Sequence, residues 1–237
     1  MDCRLYQKGI IFGLLAFGFW LFAVQDASGQ QLTAKSPNWR DSLSVLNKAI
    51  ASRPWSTDLH LRKAAVNLEL QQWQYAIDEY SLVLQHEVNN PAALFYRGYA
   101  ATRMRYYEAA RNDYETFLGL FPNHAEARMA MSYVLQQLGR KTEALDELNI
   151  AVEIQPDSAV SYAARAALEQ DLNQYDAALY DWQKAIELSP KNADFVASRV
   201  ELLLRLRRKE EARRDLDAAV KRGIPRGLLH TYYNSIR

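Results

Sequence analysis

The sequence predicts an all-α protein made by stacking one helix–turn–helix unit repeatedly, and three observations predict it. The first is an interval. Leu172 to Pro190, "LNQYDAALYDWQKAIELSP", has the skeleton of Leu138 to Pro156, "LGRKTEALDELNIAVEIQP", which lies 34 residues earlier. The second is a set of columns at that spacing. Ala76, Ala110, Ala144, Ala178 and Ala212 recur without exception, and Tyr80, Tyr114, Leu148, Trp182 and Leu216 run beside them. The third is composition: 49% hydrophobic residues with only 9 Gly and 7 Pro in 237 leaves few helix breakers.

Taken in order, the chain begins with a segment of another kind. Arg4 and Lys8 precede an uninterrupted apolar run from Gly9 to Val24, and small residues Ala27 and Gly29 follow. A basic start, an apolar core and a small-x-small exit make a secretory signal. The run is short for a membrane-spanning helix, which needs about 20 residues. Residues 1–29 therefore read as a signal peptide cleaved after Gly29, with an uncleaved anchor as the alternative. Either places the remainder outside the cytoplasm. The single Cys3 falls in that leader, so no disulfide forms within the chain.

Residues 30–37 read as a polar linker and 38–56 as an N-terminal capping helix, with Leu46, Ala49 and Ile50 in register. Five full units follow at 57–90, 91–124, 125–158, 159–192 and 193–226, and 227–237 reads as a C-terminal capping helix. Each unit divides into two helices, for example about Ala92 to Met104 and Glu108 to Phe121. Pro54, Pro122, Pro156 and Pro190 stop the second helices, with Val88 and Ile224 filling the same grid, because proline lacks an N–H and clashes with the preceding turn. The column Leu70, Met104, Leu138, Leu172, Leu206 closes each first helix, and Ala49, Val83, Phe117, Ala151, Ala185, Ala219 line each second one. Small residues at a crossing let two helices approach to about 8–10 Å. Caps are needed because a terminal unit otherwise leaves an apolar face bare.

The period and these residues resemble the tetratricopeptide repeat family, whose helix–turn–helix unit carries this pattern. The resemblance implies a right-handed α-solenoid whose inner surface is lined mainly by first helices and binds a peptide or helix of another protein. Carried onto this chain, the groove holds Leu61, Phe95, Tyr99, Met129, Tyr133, Gln136 and Gln170, an aromatic and adaptable lining with little formal charge. Departures fall at the aromatic place of the first helix, which is His60 in the first unit and Arg128 in the third, and at its small place, which is Val200 in the last. One subclass of the family grips a C-terminal carboxylate with Lys, Asn and Arg. The corresponding places here are Leu61, Ala65, Tyr96, Glu126 and Ala130, which supply no strong donor, so that function is disfavoured.

Two charge columns remain. Lys63, Arg97, Arg165 and Arg199 recur on first helices, broken by Met131, while Glu79, Asp113, Glu147, Asp181 and Asp215 recur on second helices. They read as structural ion pairs, each worth about 0.2–1 kcal/mol if exposed. From Ala193 onward eleven Lys and Arg face six acids, and Arg205, Arg207, Arg208, Lys209, Arg213 and Arg214 form a possible basic docking patch; its plainer reading is a solvated helix face. Overall charge is only +1, which excludes bulk nucleic-acid binding.

No catalytic cluster is visible. His60, His86, His124 and His230 occupy four different places in the unit, and His124 beside Glu126 is an ordinary loop pairing. There is no glycine-rich phosphate loop, no exported cysteine nucleophile and no metal-ligand spacing, so no cofactor, no metal and no enzyme are expected. The expected function is a non-enzymatic scaffold or adaptor, exported and periplasmic in a bacterium, that binds another protein through its groove. The alternative is a constitutive accessory subunit of a cell-envelope assembly complex that uses its outer face. Any membrane contact would come only through an uncleaved N-terminal segment.

Overall fold

A computed structural model describes residues 38–236. The signal, anchor and linker readings at 1–37 lie outside the described residues. Among the described residues every regular element is helical: α1 (Trp39–Ser52), α2 (Thr57–Glu69), α3 (Trp73–His86), α4 (Pro91–Arg103), α5 (Tyr107–Leu120), α6 (Ala125–Gln137), α7 (Lys141–Ile154), α8 (Ala159–Asp171), α9 (Tyr175–Leu188), α10 (Ala193–Arg205), α11 (Lys209–Lys221), a 3-10 turn (Arg226–Leu229) and α12 (His230–Ile236). They form two compact units, one ending at Pro122 and the other beginning at Asn123.

In the first unit α2 packs on α3 and α4 on α5, with α1 against α2 and α3 against α4. In the second, α6 pairs with α7, α8 with α9 and α10 with α11, and α12 closes on α10 and α11. Four of the five first helices open on side-chain caps; Ser56, before α2, makes none. Asn90 Oδ1 accepts from the Ala93 N–H at 3.0 Å, His124 Nδ1 from Ala127 at 3.2 Å, Ser158 Oγ from Ser161 at 3.3 Å and Asn192 Oδ1 from Asp194 at 2.9 Å. Each cap satisfies an N–H that the helix leaves unpaired.

The turn inside each repeat is one recurring device. Gln71, Arg105, Gly139, Asn173 and Arg207 all have positive φ, between 56° and 79°. In the second repeat the Tyr106 N–H reaches Ala101 O at 2.8 Å and the Arg105 N–H reaches Thr102 O at 3.1 Å, the bonding of a Schellman motif. Only the third repeat uses glycine there.

The alanine column Ala76, Ala110, Ala144, Ala178, Ala212 is fully buried, and Tyr80, Tyr114, Leu148, Trp182 and Leu216 fill the space beside it. In the second repeat the first helix comes so close that a Cβ on Gly98 would meet Tyr114 Cε1 at 3.1 Å. Val200, at the same place in the fifth repeat, is fully buried as well.

The charge columns meet as ion pairs within repeats: Lys63 Nζ to Glu79 Oε1 at 2.7 Å, Arg97 to both oxygens of Asp113 at 2.6 and 2.9 Å, Arg165 to both of Asp181 at 2.6 and 3.0 Å, and Arg199 to Asp215. One expectation is corrected. Glu79, Asp113 and Asp181 are buried, so the surface-pair magnitude does not apply to them. Removing a buried carboxylate's partner costs about 3–5 kcal/mol, because the acid is left without compensation. The arginines also staple neighbours: Arg97 Nη1 donates to Ser81 Oγ of the preceding repeat at 3.1 Å, and Arg165 Nη1 to Asn149 Oδ1 at 3.2 Å. In the third repeat Arg128 Nη1 reaches Glu147 Oε2 at 2.8 Å, one turn before Met131.

Candidate protein-binding surface

The anticipated groove residues divide between the units. In the first, Leu61 on α2 is half-buried, and Phe95 on α4 meets Tyr114 and Phe117 at centroid distances of 5.9 and 5.4 Å, so part of its ring belongs to the interior. Tyr99, one turn later, is 8% exposed and stands edge-on to Trp73 at 6.0 Å. In the second unit Met129, Tyr133 and Gln136 on α6 and Gln170 on α8 all keep partial exposure. Met129 Sδ accepts from Ser161 Oγ at 3.5 Å, which links the two first helices, and Gln136 Nε2 donates to Ser132 Oγ at 3.3 Å. The half-exposed members are apolar, aromatic or amide side chains. Such a lining offers contact area and adaptable hydrogen bonds to a peptide without demanding a particular charge.

A second recurring contact was not legible from single columns. It joins the residue ending a first helix to the residue opening the preceding second helix. Arg103 lies 4.7 Å over the Trp73 ring, Lys141 Nζ is 3.8 Å from Asp171, and Arg205 lies 5.2 Å over Tyr175 with Nη2 3.1 Å from its hydroxyl. The residues change but the slot persists. Comparing positions 30 residues apart along the chain would have exposed it.

Three of the groups with shifted ionisation lie on or beside the first helices. Burial raises the Tyr99 hydroxyl; nearby Arg103 opposes the rise, and Glu69 adds to it. Glu169 is pushed up to about 7, first by burial and then by Asp181, against the pull of Arg165. Tyr232 is raised by burial and by donating its proton to Glu201 at 2.6 Å.

The six basic residues at the C-terminal end are not equivalent. Arg205 is committed to Tyr175, and Arg208 is held by Glu211 and lies 3.5 Å from Asp176. Arg207, Lys209, Arg213 and Arg214 are exposed and make no ion pair among the described residues. Of the histidines, His60 is buried with Nδ1 2.5 Å from Glu79 Oε2 and Nε2 2.9 Å from Pro54 O, and His86 meets Trp55 edge-on. Among the described residues no group of three or more His, Cys, Asp or Glu could hold a metal ion.

This geometry defines an all-α repeat protein of paired helices. Residues 97–159 and 163–227, together more than half of the chain, match the profile of the tetratricopeptide repeat, and the chain belongs to that family. Among characterised proteins it is similar to human peptidyl-prolyl cis-trans isomerase FKBP4, with 33% identity over 35% of this chain and 18% of that one. It is also similar to a DnaJ homolog subfamily C member 7 homolog of Dictyostelium discoideum, with 26% identity over 45% of this chain and 20% of that one. The chain thus spans about a fifth of the length of either relative.

Solved structures share the fold. They include a tetratricopeptide repeat protein of Parabacteroides merdae (TM-score 0.68, 21% identity, 84% of this chain and 78% of that one). MamA of Desulfovibrio magneticus gives 0.64, 21%, 70% and 93% in the same order. YrrB, described as having an unusual peptide-binding site, gives 0.62, 19%, 80% and 98%. Tetratricopeptide repeats are in general non-enzymatic scaffolds that bind other proteins or peptides.

Proposed function

We propose that this protein is a non-enzymatic adaptor that works outside the cytoplasm and holds a peptide or helix of a partner protein on the first-helix surfaces of its repeats. The observation that carries this reading is the half-exposed, uncharged lining of the second unit: Met129, Tyr133, Gln136 and Gln170 on α6 and α8. Leu61, Phe95 and Tyr99 supply the corresponding surface of the first unit. The membership of the family and the peptide site described for YrrB support protein binding as the class of activity. The basic, apolar and small-residue order of residues 1–29 supports export, and the compartment proposed is the periplasm of a bacterium.

A second reading is favoured by the exposed Arg207, Lys209, Arg213 and Arg214: permanent docking of the outer face in an envelope assembly. One experiment separates the two. The partner is captured from envelope extract by Tyr133→Ala and by a quadruple variant with Gln at the four basic positions, thermal unfolding serving as the control for folding. Groove binding predicts loss with Tyr133→Ala and retention with the quadruple variant; the opposite pattern transfers the function to the outer face. N-terminal sequencing of the protein from the periplasmic fraction is expected to begin at Gln30. A start at Met1 removes the cleaved leader.

A further inference from the structure

We propose that His60 is a pH-sensitive latch, which ties the N-terminal helix α1 to the first repeat while its ring is charged and lets it go as pH rises. The latch is independent of what the repeats bind and of which surface they use.

The contacts span three elements. His60 stands buried on α2, with Nδ1 2.5 Å from Glu79 Oε2 on α3 and Nε2 2.9 Å from the carbonyl oxygen of Pro54, in the connection that follows α1. Both partners are acceptors: a backbone carbonyl, and a carboxylate whose other oxygen takes Lys63 Nζ at 2.7 Å. A neutral imidazole has one N–H, so the two bonds coexist only in the imidazolium. Loss of the proton leaves one ring lone pair facing an oxygen. The carboxylate is the stronger acceptor and keeps the Nδ1–H, so the bond to Pro54 is the one that breaks. Pro54 is exposed, and its carbonyl can then turn to water.

What the latch holds is otherwise loosely attached. Each helix from α2 to α11 has fully buried side chains, whereas α1 has none. Its apolar residues Trp39, Leu43, Leu46 and Ile50 stay half-buried where it packs on α2. A helix with so little buried surface opens locally before the rest of its unit. The other ionisable groups nearby are few. His86 on α3 lines the same small cavity as His60, with Trp55 edge-on to it. On α1, Arg40, Asp41 and Lys48 are exposed, and on α4 Arg97 is engaged by Asp113 while Tyr96 stacks on Tyr80. Asp58 and Arg62, exposed on α2, pair with each other.

The test measures amide hydrogen exchange in the whole protein at about pH 5.5 and about pH 8, the range over which histidine changes charge. Each amide is expressed as protection relative to its own intrinsic rate, and the ring nitrogens of His60 are followed by nuclear magnetic resonance. The expected result is a doubly protonated ring at the lower pH and an Nδ1–H ring at the higher. Protection of α1 should fall at least about tenfold between them, the value of one charge-assisted bond, while that of α4 is unchanged. His60→Phe removes both bonds and should leave α1 equally open at both pH values, whereas His86→Gln should keep the change. His60→Gln, polar and without a charge to lose, gives the same flat response and serves where His60→Phe does not fold. A fall in α1 protection that persists in the His60 variants overturns the latch, as does a ring with a single N–H at both pH values. Protection of α1 that ignores pH overturns it too, and α1 and α4 opening together assigns the change to the whole unit instead.

Discussion

Glu169 carries the most awkward charge in the second unit. It is 7% exposed, its Oε2 has no hydrogen-bond partner, and its Oε1 lies 4.0 Å from an arginine whose fork is already occupied by Asp181. Two acids therefore share one cation, and the one lacking direct bonds holds its proton up to about pH 7. A folded-state value above the ordinary carboxylate range means the folded protein binds more protons than the unfolded chain. Its contribution to stability is accordingly full below about pH 4.5 and is lost as pH rises toward 7. Glu169→Gln should leave stability at pH 5 nearly unchanged and raise it at pH 8 by about 1 kcal/mol, allowing for residual exposure. Urea unfolding at both pH values checks this; an equal effect at both would remove the titration from the explanation.

Single residues also show where sequence reading stopped. The ion-pair columns were legible because each partner recurs at a fixed place. Met131 looked like a gap, yet Arg128, noted only as a departure at the aromatic place, pairs with Glu147 instead. His60 does the same for Glu79 in the first repeat. A column records identity at one position, whereas a long side chain one turn away on the same face reaches the same acid. Burial of the acids was equally hidden, since it depends on how closely the first helix of the same repeat packs against them.

At the scale of the element, the turn between paired helices is set by backbone geometry more than by residue type. Asn173 and Gly139 suit positive φ, but Gln71, Arg105 and Arg207 hold it against the steric preference of a side chain with a Cβ. The bonds from the next residues back to the helix end compensate. Arg105→Gly should therefore stabilise the protein by about 0.5–1 kcal/mol, the relief of strain exceeding the entropy glycine adds to the unfolded chain. The same change at the cap, Asn90→Gly, loses the side-chain bond to Ala93 and should not stabilise. Denaturant midpoints of the two variants make the comparison. A destabilised Arg105→Gly would show that the arginine side chain, not the backbone, secures the turn. The helices themselves were readable from proline and leucine spacing; the positive φ in three of the five turns was not, because neither glycine nor asparagine marks it.

At the scale of the molecule, a 34-residue period preserves contacts as well as residues. The slot between the end of one first helix and the start of the preceding second helix holds arginine on tryptophan, lysine against aspartate, and arginine on tyrosine in turn. Different chemistry at the same place keeps neighbouring repeats in contact while altering the surface offered to a partner. Fold class and family followed from the repeat alone. The character of each surface did not, because the half-burial of Tyr133 and near-complete burial of Tyr99 are set by how neighbouring helices pack and not by the repeat column.

The central claim is that a partner lies on first-helix surfaces. Photo-crosslinking in living cells tests it most directly, with a photoreactive residue placed singly at Gln136 and Gln170 on first helices and at Glu115 and Glu153 on second helices. The account predicts one shared crosslinked partner from Gln136 and Gln170 and none from the other two positions. Crosslinks confined to Glu115 and Glu153 would contradict it.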